Sequence, residues 1–191
     1  MTDFLHSDLL IEILGAVTGL IYLYFSIKQN IWLWPWGIIT SLLYVYIFYR
    51  EKDYAYMCLQ LYYFAISIYG WYFWANPGNM EGNSRKPIIR ASRKEWFYFI
   101  LLVFILTAAT GSGLDKFADS PLPFWESFTV AGSIIATWML ARKYIEQWLF
   151  WIVIDIVSVG MFIYQGLYPT VVLFSVYTVM AVIGYFQWNN E

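Results

Sequence analysis

The chain has 191 residues, of which 61% are hydrophobic, 23% aromatic and only 13% charged, the composition of a protein built to sit in a bilayer. A net charge of −2 leaves no basic footprint for nucleic acid. With one cysteine, Cys58, and one histidine, His6, neither a disulfide framework nor a His/Cys metal centre can be assembled.

Each crossing of a hydrocarbon core about 30 Å thick takes about 20 apolar residues, and the sequence supplies seven such runs. The N-terminal MTDFLHSDLL carries acids but no Lys or Arg, unlike a cleavable signal peptide, so the first span, 9–27, is expected to be retained. The others fall at 32–49, 54–75, 96–110, 123–141, 145–164 and 168–188. Connections of a few residues within 9–75 and within 123–188 make tight antiparallel hairpins. Two longer connections, NPGNMEGNSRKPIIRASRKE and GSGLDKFADSPL, flank the fourth span. The expected fold is therefore all-α and integral to the membrane, a single transporter-like domain over 1–191. It divides into a first three-helix bundle (9–75), a linker helix (96–110) and a second three-helix bundle (123–188), a 3+1+3 order.

Lys28, Arg85, Lys86, Arg90, Arg93, Lys94, Arg142 and Lys143 fall on the face shared with the C-terminus, against Arg50, Lys52 and Lys116 on the other. The positive-inside rule then puts the C-terminus in the cytoplasm and the N-terminus outside.

Shifting the sequence by 114 residues aligns Glu12 with Glu126, Trp34 with Trp148, Tyr54 with Tyr168, Tyr63 with Tyr177, Gly70 with Gly184 and Trp74 with Trp188, without a gap. Lys28 falls on Arg142. Three helices followed by one return the second copy in the first copy's orientation, so the bundles are expected to be parallel repeats, with substrate near mid-membrane at their interface.

The stretch WLFWIVID places Asp155 at the midpoint of the sixth run. A carboxylate there costs roughly 2.5 to 3.5 kcal/mol on insertion scales and is retained where it meets protein, water or ligand. Trp148, Trp151 and Asp155, at i, i+3 and i+7, share one helical stripe. Two indole faces and an acid suit an organic cation or a stacked aromatic ring. Ser41 is the repeat partner of Asp155, so the symmetry is broken there. Gln60 and Tyr63 in the third run are the further candidates for substrate contact. Alternatives stand beside these readings: Trp148 also fits an interfacial aromatic belt, Asp155 a structural ion pair, and Gln60 an interhelical hydrogen bond. Glu12 and Glu126 fit structural roles near helix ends. No catalytic residue, metal or cofactor is expected, since nucleophile and phosphate-loop signatures are absent and no second acid lies at the depth of Asp155.

The segments WPWGIITSLLYVYIFYREKDYAYMCLQLYYFAISIYGWYFW, PFWES and ARKYIEQWLFWIVIDIVSVGMFIYQGLYPTVVLFSVYTVMAVIGYFQW closely resemble the PnuC family of bacterial vitamin transporters, from Glu12 to Trp188. That resemblance implies a SWEET-like seven-helix fold in the bacterial inner membrane. It also implies a homotrimer with one path per protomer, and facilitated diffusion with intracellular trapping by phosphorylation. Nicotinamide riboside carriers of the family have asparagine where this chain has Asp155. The chain is also short, which is similar to the thiamine-transporting (PnuT) branch. The resemblance therefore implies thiamine as cargo, with nicotinamide riboside as the alternative and riboflavin, a deoxynucleoside or a non-transporting ligand-binding scaffold behind them.

Overall fold

A computed structural model describes residues 17–51, 54–76, 86–117 and 121–191. Residues 9–16 of the expected first span, with Glu12, lie outside the described residues, as does His6. Seven helices are present among those residues: α1 (Val17–Ile27), α2 (Leu33–Glu51), α3 (Tyr54–Ala75), α4 (Arg93–Phe117), α5 (Pro123–Ala141), α6 (Gln147–Tyr164) and α7 (Tyr168–Asn189). Three of them, α4, α6 and α7, are long and apolar enough on their own to cross a membrane. The aromatic-rich α2 and α3, expected as spans, are less apolar because Tyr and Trp each carry a polar tip.

The chain divides into two compact units, residues 1–85 and 86–191. In the first, α2 packs along α3. The three helices converge at Gly37, where a Cβ would stand 2.8 Å from Ser67 Oγ and 3.3 Å from the Tyr22 ring. In the second, α4 packs on α5, α5 on α6 and α6 on α7. The core between α4 and α5 is made by Phe99, Val103, Ala131, Ile135 and Met139, closed at one end by Tyr144.

The turns explain where the helices stop. After α6, Gly166 has φ +74°, and Leu167 N–H donates to Phe162 O at 2.9 Å while Gly166 N–H donates to Ile163 O at 3.1 Å. This is a Schellman stop, in which a left-handed residue lets the chain satisfy the last carbonyls. The same pair of bonds ends α1 (Asn30 to Phe25 O, Gln29 to Ser26 O) and α5 (Tyr144 to Met139 O, Lys143 to Leu140 O). There the left-handed residues are Gln29 (φ 48°) and Lys143 (φ 63°), not glycines, at a cost of roughly 1–2 kcal/mol each. Lys143 is 2% exposed, and its Nζ donates to Lys86 O at 2.9 Å, a bond glycine could not make.

The α5–α6 turn also receives the segment before α4. Ile89 N–H donates to Lys143 O and Ile145 N–H to Ile89 O, both at 3.0 Å, a parallel bridge between Ile89 and Tyr144. Arg90 donates to Asn189 Oδ1 at 2.6 Å, holding the end of α7. The helix that follows begins earlier and ends later than the expected 96–110. Its start is a capping box: Glu95 N–H donates to Ser92 Oγ, and Ser92 N–H donates to Glu95 Oε2, which stabilises polar first-turn residues that hydropathy alone leaves in the loop. The expected loop GSGLDKF is helical, continuing α4 to Phe117.

Tyr144 donates its hydroxyl to the other oxygen of Glu95 at 2.6 Å. Burial, and then the bond to Glu95, push its phenol up to about 12. Since the folded state holds this proton more tightly, the stabilisation is complete below about pH 10, the ordinary phenol value, and fades as pH rises from there toward about 12. Tyr144→Phe removes this bond and is expected to lower the melting midpoint by a few degrees at neutral pH. It should also flatten the alkaline limb of thermal stability, read as the melting midpoint in detergent from pH 8 to 12.

Candidate functional site: the α6 stripe

The first-unit helices carry Trp34 on α2 and Gly70 and Trp74 on α3. Trp34 is fully buried, lies directly against Gly70, and meets the Trp74 ring edge-on at 5.4 Å and 89°. The second unit repeats this arrangement with Trp148 on α6 and Gly184 and Trp188 on α7. Trp148 is 1% exposed, a Cβ on Gly184 would fall 2.6 Å from its Cη2, and its ring meets Trp188 at 5.6 Å and 87°. Close helix approach over a small residue is how van der Waals packing joins helices where lipid offers no hydrophobic drive. The 114-residue register is thus a repeat of structure as well as of letters, since the α1 and α5 stops follow the same shift.

These trios bear on what Trp148 can do. Its indole N–H is buried without a hydrogen-bond partner among the described residues, and so is that of Trp34. The feature belongs to the packing motif in both copies, and Trp148 serves as the key of the α6–α7 contact.

One turn further along the stripe, Trp151 is half-buried. Asp155 follows four residues later and is 4% exposed, with no hydrogen bond or ion pair to any described residue. Ser158, also buried, continues the stripe. The repeat partner Ser41 is likewise buried, but its hydroxyl donates to its own helix at Gly37 O, 2.8 Å away, a local bond that settles a small hydroxyl. Asp155 has no such settlement. Gln60 and Tyr63 are half-buried on α3 of the first unit, and Tyr63 packs against Tyr62 at 5.6 Å.

Sequence reasoning missed the polar start of α6. Gln147 is fully buried with both amide atoms unpartnered among the described residues, as is Glu146 Oε2. The signal was the polar pair EQ inside the first turn of the 145–164 run. Among the described residues no group of His, Cys, Asp and Glu is arranged to hold a metal ion.

A family model described as nicotinamide mononucleotide transporter matches residues 9–190. Among curated proteins, the nicotinamide riboside transporter PnuC of Escherichia coli is 28% identical, over 95% of this chain and 85% of its own length. The protein of the same name from Neisseria mucosa is 25% identical, over 97% and 74%. The riboflavin/roseoflavin transporter RibM of Streptomyces davaonensis is 22% identical, over 93% and 83%. The crystal structure of the vitamin B3 transporter PnuC superposes with a TM-score of 0.70 at 25% identity, covering 92% of this chain and 79% of that one. An all-helical fold, a membrane setting and a match along almost the whole length agree on one assignment: the chain belongs to the nicotinamide mononucleotide transporter family, that of the PnuC transporters.

Proposed function

We propose that this protein carries nicotinamide riboside across the bacterial inner membrane. Asp155 carries the reading: it is a buried acid in mid-span without a partner among the described residues, which calls for a cation, and nicotinamide riboside presents a pyridinium ring. Trp151, one turn away on the same stripe, offers the ring face on which that cation stacks, a contact worth about 0.5–2 kcal/mol. Gln60 and Tyr63 are the first unit's candidates for polar contact, each to be tested by its own substitution. Trp148 contributes by holding α6 against α7.

Thiamine, the cargo expected from the sequence, takes second place. It rested on Asp155 replacing asparagine and on chain length. Both vitamins are aromatic cations, so the acid does not choose between them, and the PnuC relatives in hand are named for nicotinamide riboside. Transport is proposed to be uncoupled, by alternating access in a homotrimer, with the N-terminus outside and trapping by phosphorylation in the cytoplasm.

Titration of tryptophan fluorescence with nicotinamide riboside, thiamine and riboflavin separates the cargoes. Saturable quenching by nicotinamide riboside at the lowest concentration, largely lost in Trp151→Ala, is expected. Tighter saturation by thiamine would return it to first place.

A further inference from the structure

In the second unit, α4, α5 and α6 enclose a half-open groove of about 280 Å³. Trp96, Ile100 and Val103 of α4, Phe128 of α5, and Phe150 and Ile154 of α6 line it, and the Trp96 ring stacks on Phe150 at 5.6 Å and 28°. The wall is almost wholly apolar, a poor berth for a polar vitamin.

Its upper end is different. Arg93, Trp96, Ile100 and Val103 follow i, i+3, i+7 and i+10 along α4, so Arg93 stands one turn above the groove on the stripe that lines it. Lys94 is next to it, and both are exposed. Glu95, in the same turn, keeps its charge but is held by Ser92 and Tyr144 and forms no ion pair with either cation among the described residues. An apolar slot with a tryptophan at its rim, and beyond it two cations without an ion-pair partner among the described residues, has the chemistry to take an acyl chain below a negative headgroup.

We propose that this groove is a binding site for an anionic membrane phospholipid, with one acyl chain lying between α4 and α6 over Phe128 and the phosphate meeting Arg93 and Lys94. The site is separate from the Asp155 stripe in chemistry and in role. A lipid there would splint α4 to the α5–α6 hairpin along the helix whose two ends run beyond the apolar run.

The test uses the full chain in vesicles of phosphatidylcholine, doped with either phosphatidylglycerol or phosphatidylcholine brominated on the acyl chain. The difference in quenching between the wild type and Trp96→Phe isolates the Trp96 signal. Brominated phosphatidylglycerol is expected to quench Trp96 at a lower mole fraction than brominated phosphatidylcholine, by roughly fivefold for each cation. Arg93→Ala with Lys94→Ala should abolish that preference while leaving some quenching. Val153→Phe, at the groove's rim, should reduce quenching by both lipids. Equal quenching by the two lipids, or a preference that survives the double alanine variant, would overturn the proposal. So would a Trp96 shielded from both lipids, as when a second copy covers the groove.

Discussion

Gly184→Ala is expected to destabilise the protein by about 1–3 kcal/mol, although alanine is the better helix former by up to about 1 kcal/mol. The added Cβ would stand 2.6 to 2.8 Å from three atoms of the Trp148 ring. That ring is 1% exposed and held edge-on by Trp188, so it has nowhere to go. Gly70→Ala should do the same in the first unit, where the Trp34 ring lies closer still. Gly160 is the internal control: it is on α6, and a Cβ there meets nothing within 4 Å, so Gly160→Ala should be neutral or stabilising. Replacing Trp148 by Leu in the Gly184→Ala background should recover part of the loss. Melting midpoints in detergent give all four results. A Gly184→Ala protein as stable as Gly160→Ala would mean that the trio is not the key to α6–α7 packing.

The second large effect concerns Asp155. Asp155→Leu is expected to weaken nicotinamide riboside binding by 2 kcal/mol or more, at least about 30-fold, the range for losing one side of a buried charge pair. Asp155→Asn keeps an oxygen acceptor and loses only the charge, so it should fall between Leu and the wild type. The same Leu variant should be at least as thermally stable as the wild type, because it removes a mid-span acid that costs roughly 2.5–3.5 kcal/mol and has no described partner to abandon. Binding lost with stability kept identifies a ligand-facing acid. Stability lost would instead identify a structural ion pair, and unchanged affinity would remove Asp155 from the site. Calorimetric titration and melting on the same preparations separate these outcomes.

Much of this was legible in the letters, for physical reasons that differ from residue to residue. Trp34, Gly70 and Trp74 recur as Trp148, Gly184 and Trp188 because an indole needs a glycine to lie against a neighbouring helix, so the shared register marks the packing unit. The stripe of Trp148, Trp151 and Asp155 follows from helical period alone. The role of Trp148 did not follow, because period cannot say which side of a stripe meets a neighbouring helix, and Gly184 takes that side. The limits of α4 were misplaced for a similar reason. Ser92 and Glu95 start the helix through hydrogen bonds, and hydropathy records such residues only as polar. Cargo was the least legible feature. Asp155 suits a cation, yet thiamine and nicotinamide riboside are both cations, and their distinguishing atoms are a hydroxyethyl-thiazolium in one and a ribose in the other. Those are told apart by neutral hydrogen-bonding groups, whose part is invisible in composition or spacing.

Movement of nicotinamide riboside down its gradient is read out by counterflow. Purified protein is reconstituted into liposomes loaded with unlabelled nicotinamide riboside, and labelled compound is supplied outside at low concentration without sodium or proton gradients. Label is expected to accumulate transiently inside, not in empty liposomes or in those carrying Asp155→Leu, and external nicotinamide riboside should compete more strongly than thiamine or riboflavin. Saturable binding without exchange, or exchange only when an ion gradient is imposed, would contradict uncoupled transport of this cargo.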